Sequence, residues 1–60
     1  MKVTRIAGML LLESDYPQMW CYLPIHEATD REIRRTVKAF KSCGVAINFG
    51  GLKSLIDSHR

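Results

Sequence analysis

One stretch decides how the middle of the chain folds: residues 29–44, which read TDREIRRTVKAFKSCG. Thr29 followed three residues later by Glu32 forms a capping box, in which the threonine side chain accepts from the Glu32 amide and the glutamate reaches back to the Thr29 amide. Gly44 is the residue type that most readily adopts the left-handed conformation ending many helices. The pattern therefore predicts a helix over residues 30–42.

This helix has an apolar side and a basic side. At 100° per residue, Ile33, Val37 and Phe40 share one side, which must pack on the rest of the protein. The opposite side holds five cations within an arc of about 120°. We call these residues the basic arc: Arg31, Arg34, Arg35, Lys38 and Lys41.

The distribution of charge singles out the same region. Residues 1–30 hold two basic and four acidic side chains, a net charge of −2, whereas residues 31–60 hold seven basic and two acidic ones, a net charge of +5. Within the helix, only Asp30 and Glu32 offer counter-charges, at the spacing that pairs them with Arg34 and Arg35. The imbalance indicates an anionic partner, either nucleic acid or an acidic protein surface; plain solvation of a charged face is the competing interpretation.

Two strands are expected before the helix. Val3–Leu12 is largely a continuous apolar run, typical of a strand that is buried on both faces. Met19–Leu23 is a second strand candidate, with Trp20 and Tyr22 on one side. Residues 13–18 are polar and contain a proline, so they predict a turn joining an antiparallel hairpin. The apolar run is shorter than the ~18 residues of a membrane span, and we expect a strand rather than a signal peptide.

A third strand and a second helix are expected after it. Residues 45–49 alternate between apolar and small or polar side chains, the pattern of a strand, and Gly50-Gly51 should end that strand. Leu52, Leu55 and Ile56 then share one side of a short C-terminal helix. The predicted fold is one α+β domain, residues 1–60, in the order β-β-α-β-α, with a sheet of order 2-1-3 and the basic helix on one face.

A helix-turn-helix is the alternative fold for the second half. It requires a second helix that starts near Ala46 and continues through Gly50 and Gly51. Two glycines inside a helix cost about 2 kcal/mol relative to alanine, which favours the strand instead.

Self-association is expected from the size of the chain. A 60-residue domain buries only about 60% of the surface of its unfolded chain, yet 47% of this sequence is hydrophobic. A short sheet with open edges adds to the tendency. We expect a homodimer. Trp20 and Tyr22 form a secondary candidate surface for partner binding, after the basic arc, although such aromatic pairs more often belong to the core or to a dimer contact.

The side chains capable of metal or nucleophilic chemistry are few. They are Cys21, Cys43, His26 and His59, and they form no close pair of the kind that marks zinc sites. We expect two reduced, buried thiols in a cytoplasmic protein, no metal, no other cofactor and no catalytic residue. A chain of this length also has little room for a small-molecule site of ~300 Å³ or more.

The function predicted from the sequence is a non-enzymatic regulatory binding module. We favour nucleic acid as the partner, with the basic arc contacting phosphates, and we expect no membrane association. The alternative is a compact inhibitor or adaptor that docks on an acidic or apolar surface of a protein.

Overall fold

Three antiparallel strands followed by two helices make up the fold, in a computed structural model that describes all 60 residues. The elements are β1 (Lys2–Ile6), β2 (Met9–Asp15), β3 (Gln18–Pro24), α1 (Asp30–Ser42) and α2 (Phe49–Ser58). The strands lie in the order β1-β2-β3, so chain neighbours are also neighbours in the sheet. The α+β class is confirmed, but the element order is β-β-β-α-α rather than the predicted β-β-α-β-α.

The predicted first strand is in fact a hairpin. Ile6 pairs with Met9 across a two-residue turn, and the first turn residue, Ala7, has a φ of 55°. Two-residue turns with positive φ at their first position suit the twist of antiparallel strands, although glycine is preferred there. The sequence pattern does not predict this turn, because the residues on both sides of it are apolar and it has no Asn-Gly or Asp-Gly pair.

The predicted third strand is absent, and the sheet order 2-1-3 is therefore wrong. Residues 45–49 run mainly as a connection between the helices. Their alternation still has a structural counterpart, because Val45, Ile47 and Phe49 are half-buried against the core while the two residues between them are exposed. Alternation reports which side chains face the core, but a strand also needs a free sheet edge to pair with.

The start of α1 agrees with the prediction, with one difference. The Thr29 side chain accepts a hydrogen bond from the Glu32 amide at 3.2 Å, as expected of the cap. The Glu32 carboxylate accepts from the Thr29 hydroxyl at 3.3 Å instead of reaching the Thr29 amide. Half of the capping box is thus replaced by a contact between the two side chains.

The end of α1 is a Schellman motif. Gly44 has a φ of +89°, and its amide donates to the Lys41 carbonyl at 2.9 Å. The Val45 amide donates to the Phe40 carbonyl at 3.0 Å. Both bonds satisfy carbonyl groups that have no partner inside the helix. The predicted bounds, residues 30–42, are confirmed.

The second helix begins earlier than predicted. Asn48 is its N-cap, and its side-chain oxygen accepts from the Gly51 amide at 2.7 Å. Gly50 and Gly51 therefore lie in the first turn, where amides have no partner inside the helix. The connection of residues 43–48 is longer than the three- or four-residue turn of a helix-turn-helix.

Both helices cover the same face of the sheet. Ten buried apolar side chains join the two layers. They are Leu10, Leu12, Leu23, Ile25, Ala28, Ile33, Val37, Phe40, Leu52 and Ile56. Burying each of the larger ones stabilises the fold by about 1.5–3 kcal/mol. Neither helix has the length and apolar character needed to cross a membrane.

Candidate nucleic-acid interface

The basic arc lies on the outside of the helical layer. All five of its side chains are exposed, whereas Ile33, Val37 and Phe40 turn inward from the same helix. The arc therefore faces solvent, on the side of the helical layer that points away from the sheet.

Three of the four cations outside the arc are held by other groups of the protein. Lys53 forms a salt bridge with Asp30 at 2.9 Å, and Arg60 forms one with Asp57 at 3.1 Å. Arg5 donates to the His59 carbonyl at 2.9 Å. Only Lys2 among the cations outside the arc lacks such a contact.

The cations of the arc have no such partners. None of the five forms a salt bridge, and none donates a side-chain hydrogen bond to another protein group. The two pairings expected from spacing are not formed: Asp30 binds Lys53 rather than Arg34, and Glu32 binds Thr29 rather than Arg35. The arc is thus a block of five cations that form no ion pair, although the charge of Asp30 lies near Arg34.

One carboxylate near the arc has a perturbed pKa. The hydrogen bond from Lys53 lowers the pKa of Asp30 below its ordinary value, and the charges of Lys53, Arg34 and Arg60 lower it further. Partial desolvation opposes this effect. Asp30 is therefore ionised at neutral pH, at the helix terminus where a negative charge is stabilising.

Phe49 belongs to this surface as the first residue of α2, although the alternation of residues 45–49 predicts a strand there. The guanidinium carbon of Arg34 lies 5.0 Å from the centre of the Phe49 ring, and the Lys53 ammonium lies 5.7 Å from it. A signal for this position was available, because Phe49, Leu52 and Ile56 follow helical spacing directly after Asn48, a preferred N-cap residue.

The opposite side of the molecule is an uncovered sheet face. Residues directly opposite in antiparallel pairs share a face, so the register defines its members. We call this set the outer sheet face: Lys2, Thr4, Ile6, Met9, Leu11, Glu13, Asp15, Gln18, Trp20, Tyr22 and Pro24. Trp20 is 65% exposed, Tyr22 51% and Ile6 46%. The expectation that the apolar run is buried on both faces is therefore wrong.

The cysteines and histidines do not converge. Cys21 and Cys43 are both free thiols, and neither is buried as expected, because Cys21 is half-buried and Cys43 is exposed. His26 is exposed and His59 half-buried. No group of three or more His, Cys, Asp or Glu side chains is arranged to hold a metal ion.

Comparisons with known proteins gave no family assignment. No protein-family model matches this chain, and neither the curated proteins nor the solved structures gave a significant match. The function is therefore inferred from the two exposed surfaces.

Proposed function

We propose that this protein is a non-enzymatic regulatory module that binds nucleic acid through the basic arc. One observation carries the proposal: five neighbouring cations form no salt bridge, although three other cations of the chain are held by carboxylates or carbonyls. Like charges spaced three and four residues apart destabilise a helix. Phosphates would relieve that repulsion, and the arginines can form forked contacts with them.

The size of the arc matches a phosphate backbone. From Arg31 to Lys41 the helix rises about 15 Å, so several phosphates lie within reach of the arc. Each phosphate that is neutralised on a duplex releases counterions and contributes a slope of about −0.9 to the dependence of log K on log salt concentration. Five contacts correspond to a slope of about −4 to −5.

A salt series tests the proposal. Fluorescein-labelled single-stranded and duplex oligonucleotides are titrated with the protein from low to physiological salt, and anisotropy gives the affinity. We expect binding with a steep negative salt slope. No binding at low salt, or a slope near zero, would contradict the proposal.

The single tryptophan reports which face is occupied. Trp20 lies on the outer sheet face, on the other side of the core from the arc. Its emission should stay unchanged when nucleic acid binds the arc. Strong quenching would instead place the bases on Trp20 and Tyr22.

A second candidate function is docking on a protein, as an inhibitor or adaptor. The uncovered outer sheet face favours it, because contiguous exposed apolar side chains commonly mark protein contacts. An acidic protein surface could also meet the basic arc. An apolar protein contact would depend far less on salt than phosphate binding does, so the same salt series separates the two.

We also propose that the outer sheet face joins two copies of this chain. It carries one cation, Lys2, and two anions, Glu13 and Asp15, so its net charge is −1 against +5 for the basic arc, and two copies meet there with far less repulsion. Two basic arcs would repel each other. Sheets stacked about 10 Å apart would bury Trp20 and Tyr22 and leave both arcs outside. A cytoplasmic location is proposed with this, because it would keep both thiols reduced.

A further inference from the structure

A groove runs between α1 and the start of α2. It has a volume of about 460 Å³ and is lined by Arg34, Val37, Lys38, Lys41, Ser42 and Phe49. Three of these side chains are cations from the basic arc, and none is a carboxylate. The groove is shallow and open to solvent, and its volume exceeds the ~300 Å³ for which a chain of this length is expected to have little room.

The Arg34–Phe49 pair gives this groove a flat wall. With its guanidinium carbon 5.0 Å from the ring centre, Arg34 is positioned by the aromatic side chain. It is not tied to a carboxylate, so its N–H groups remain available to an anion. A guanidinium that packs on a ring can also stack with a nucleobase, which a lysine cannot do.

The remaining cations place positive charge beside that wall. Lys38 and Lys41 lie on the same side of α1, one and two turns beyond Arg34, and both line the groove. Both are exposed and neither forms a salt bridge. A planar group beside Arg34 would therefore have its phosphate within reach of two ammonium groups.

We propose that this groove binds one nucleotide of single-stranded nucleic acid, with its base beside the Arg34–Phe49 pair and its phosphate held by Lys38 and Lys41. This rests on the proposed function and narrows it to single strands. Bases inside a duplex are already stacked on one another, so a duplex can use only the phosphate contacts of the arc. Single-stranded DNA and RNA share the chemistry that the groove recognises.

Charge-conserving variants test the subsite. Arg34→Lys keeps the charge but removes the stacking plane, and Phe49→Leu removes the ring but keeps an apolar side chain. Arg35→Lys is the matched control, because Arg35 belongs to the arc and does not line the groove. Each variant is titrated against a single-stranded DNA, a single-stranded RNA and a duplex of the same sequence at one salt concentration. Thermal unfolding checks that each variant is folded.

The expected losses are specific. Single-strand affinity should fall between about fivefold and a hundredfold for Arg34→Lys and for Phe49→Leu, the range that stacking of one base contributes. Arg35→Lys should change it by less than about twofold, and duplex affinity should hardly change in any variant. Equal effects of Arg34→Lys and Arg35→Lys, or tighter binding of the duplex, would overturn the subsite and leave the proposed function standing. Absence of binding to all three oligonucleotides would overturn both. If Phe49→Leu does not fold, the comparison of Arg34→Lys with Arg35→Lys alone tests the subsite.

Discussion

The two outer surfaces of this small protein each lack a different kind of contact. The helical side carries five cations that form no salt bridge, while the sheet side carries exposed aromatic and aliphatic side chains without a covering layer. Charge acts over a Debye length, about 8 Å at physiological salt, and weakens as salt is added. Apolar surface acts only on contact and depends little on salt.

The proposal that the two surfaces have different partners rests on this difference. A helix could carry mixed charges on its outer side and gain stability from them, so a uniformly basic arc gives up stability that a ligand can restore. A sheet with one solvated face normally carries polar side chains there, so the exposure of Trp20, Tyr22 and Ile6 supports the proposal that a second copy covers them. Variants on one surface should therefore leave the other surface unaffected.

The largest expected effect comes from reversing charge in the arc. Arg34→Glu combined with Lys38→Glu should weaken nucleic-acid binding about a hundredfold or more, because two phosphate contacts become repulsions. The fold should persist, since both side chains are exposed. Anisotropy titrations measure the affinity, and light scattering should give an unchanged mass. Lys2→Glu, a reversal on the sheet side, is the control and should have a much smaller effect. If the double variant binds normally, the arc is only a solvated face.

The second effect concerns the sheet. Trp20→Ser with Tyr22→Ser should convert a dimer into a monomer of 6.9 kDa while the affinity of each arc for an oligonucleotide stays within about twofold. Sedimentation equilibrium measures the mass. In the wild type, the emission of Trp20 should shift to shorter wavelength as concentration rises. A wild-type protein that is monomeric at high micromolar concentration would contradict the dimer.

The parts of the fold that sequence predicted are those fixed by local chemistry. Thr29 and Gly44 bound α1 through hydrogen bonds within a few residues of each other, so the bounds followed from residue types alone. The exposure of the arc followed from helical geometry. That Trp20 and Tyr22 share one side of their strand followed from the period of a strand, whereas the exposure of that side did not.

The parts that were missed depend on distant segments. Residues 45–49 have a strand pattern, but whether they pair depends on which sheet edge lies nearby, and they instead pack Val45, Ile47 and Phe49 against the core. The contact of Phe49 with Arg34 depends on how the two helices are packed. The outer sheet face is open because both helices pack on the same side of the sheet. No local sequence pattern determines any of these three features.

A smaller effect tests the scaffold that both surfaces share. Thr29→Ala should lower the free energy of unfolding by about 1 kcal/mol, because the Glu32 amide loses its cap. Urea unfolding measures the change. Ser54→Ala is the control, since Ser54 is an exposed helical residue without a side-chain hydrogen bond, and it should not destabilise the protein. Both binding activities should survive in Thr29→Ala under conditions where it stays folded. An unchanged unfolding midpoint would show that the cap contributes nothing.

The smallest effect concerns Asp30, the carboxylate nearest the basic arc. The hydrogen bond from Lys53 holds its pKa below the ordinary value of 3.8, so the interaction stabilises the folded state fully above that value. The contribution is lost as the pH falls through the lowered pKa, because protonation removes the charge that Lys53 binds. Asp30→Asn should therefore lose less stability than the wild type when thermal unfolding is compared at pH 5 and in strong acid. Glu27→Gln, which replaces an exposed carboxylate without a salt bridge, should retain the wild-type dependence on pH.

Asp30→Asn also removes a negative charge beside Arg34, so at neutral pH it should bind nucleic acid slightly more tightly and leave dimerisation unchanged. Identical acid responses in Asp30→Asn and the wild type would show that the ion pair does not stabilise the fold, because solvent then screens an exposed pair completely.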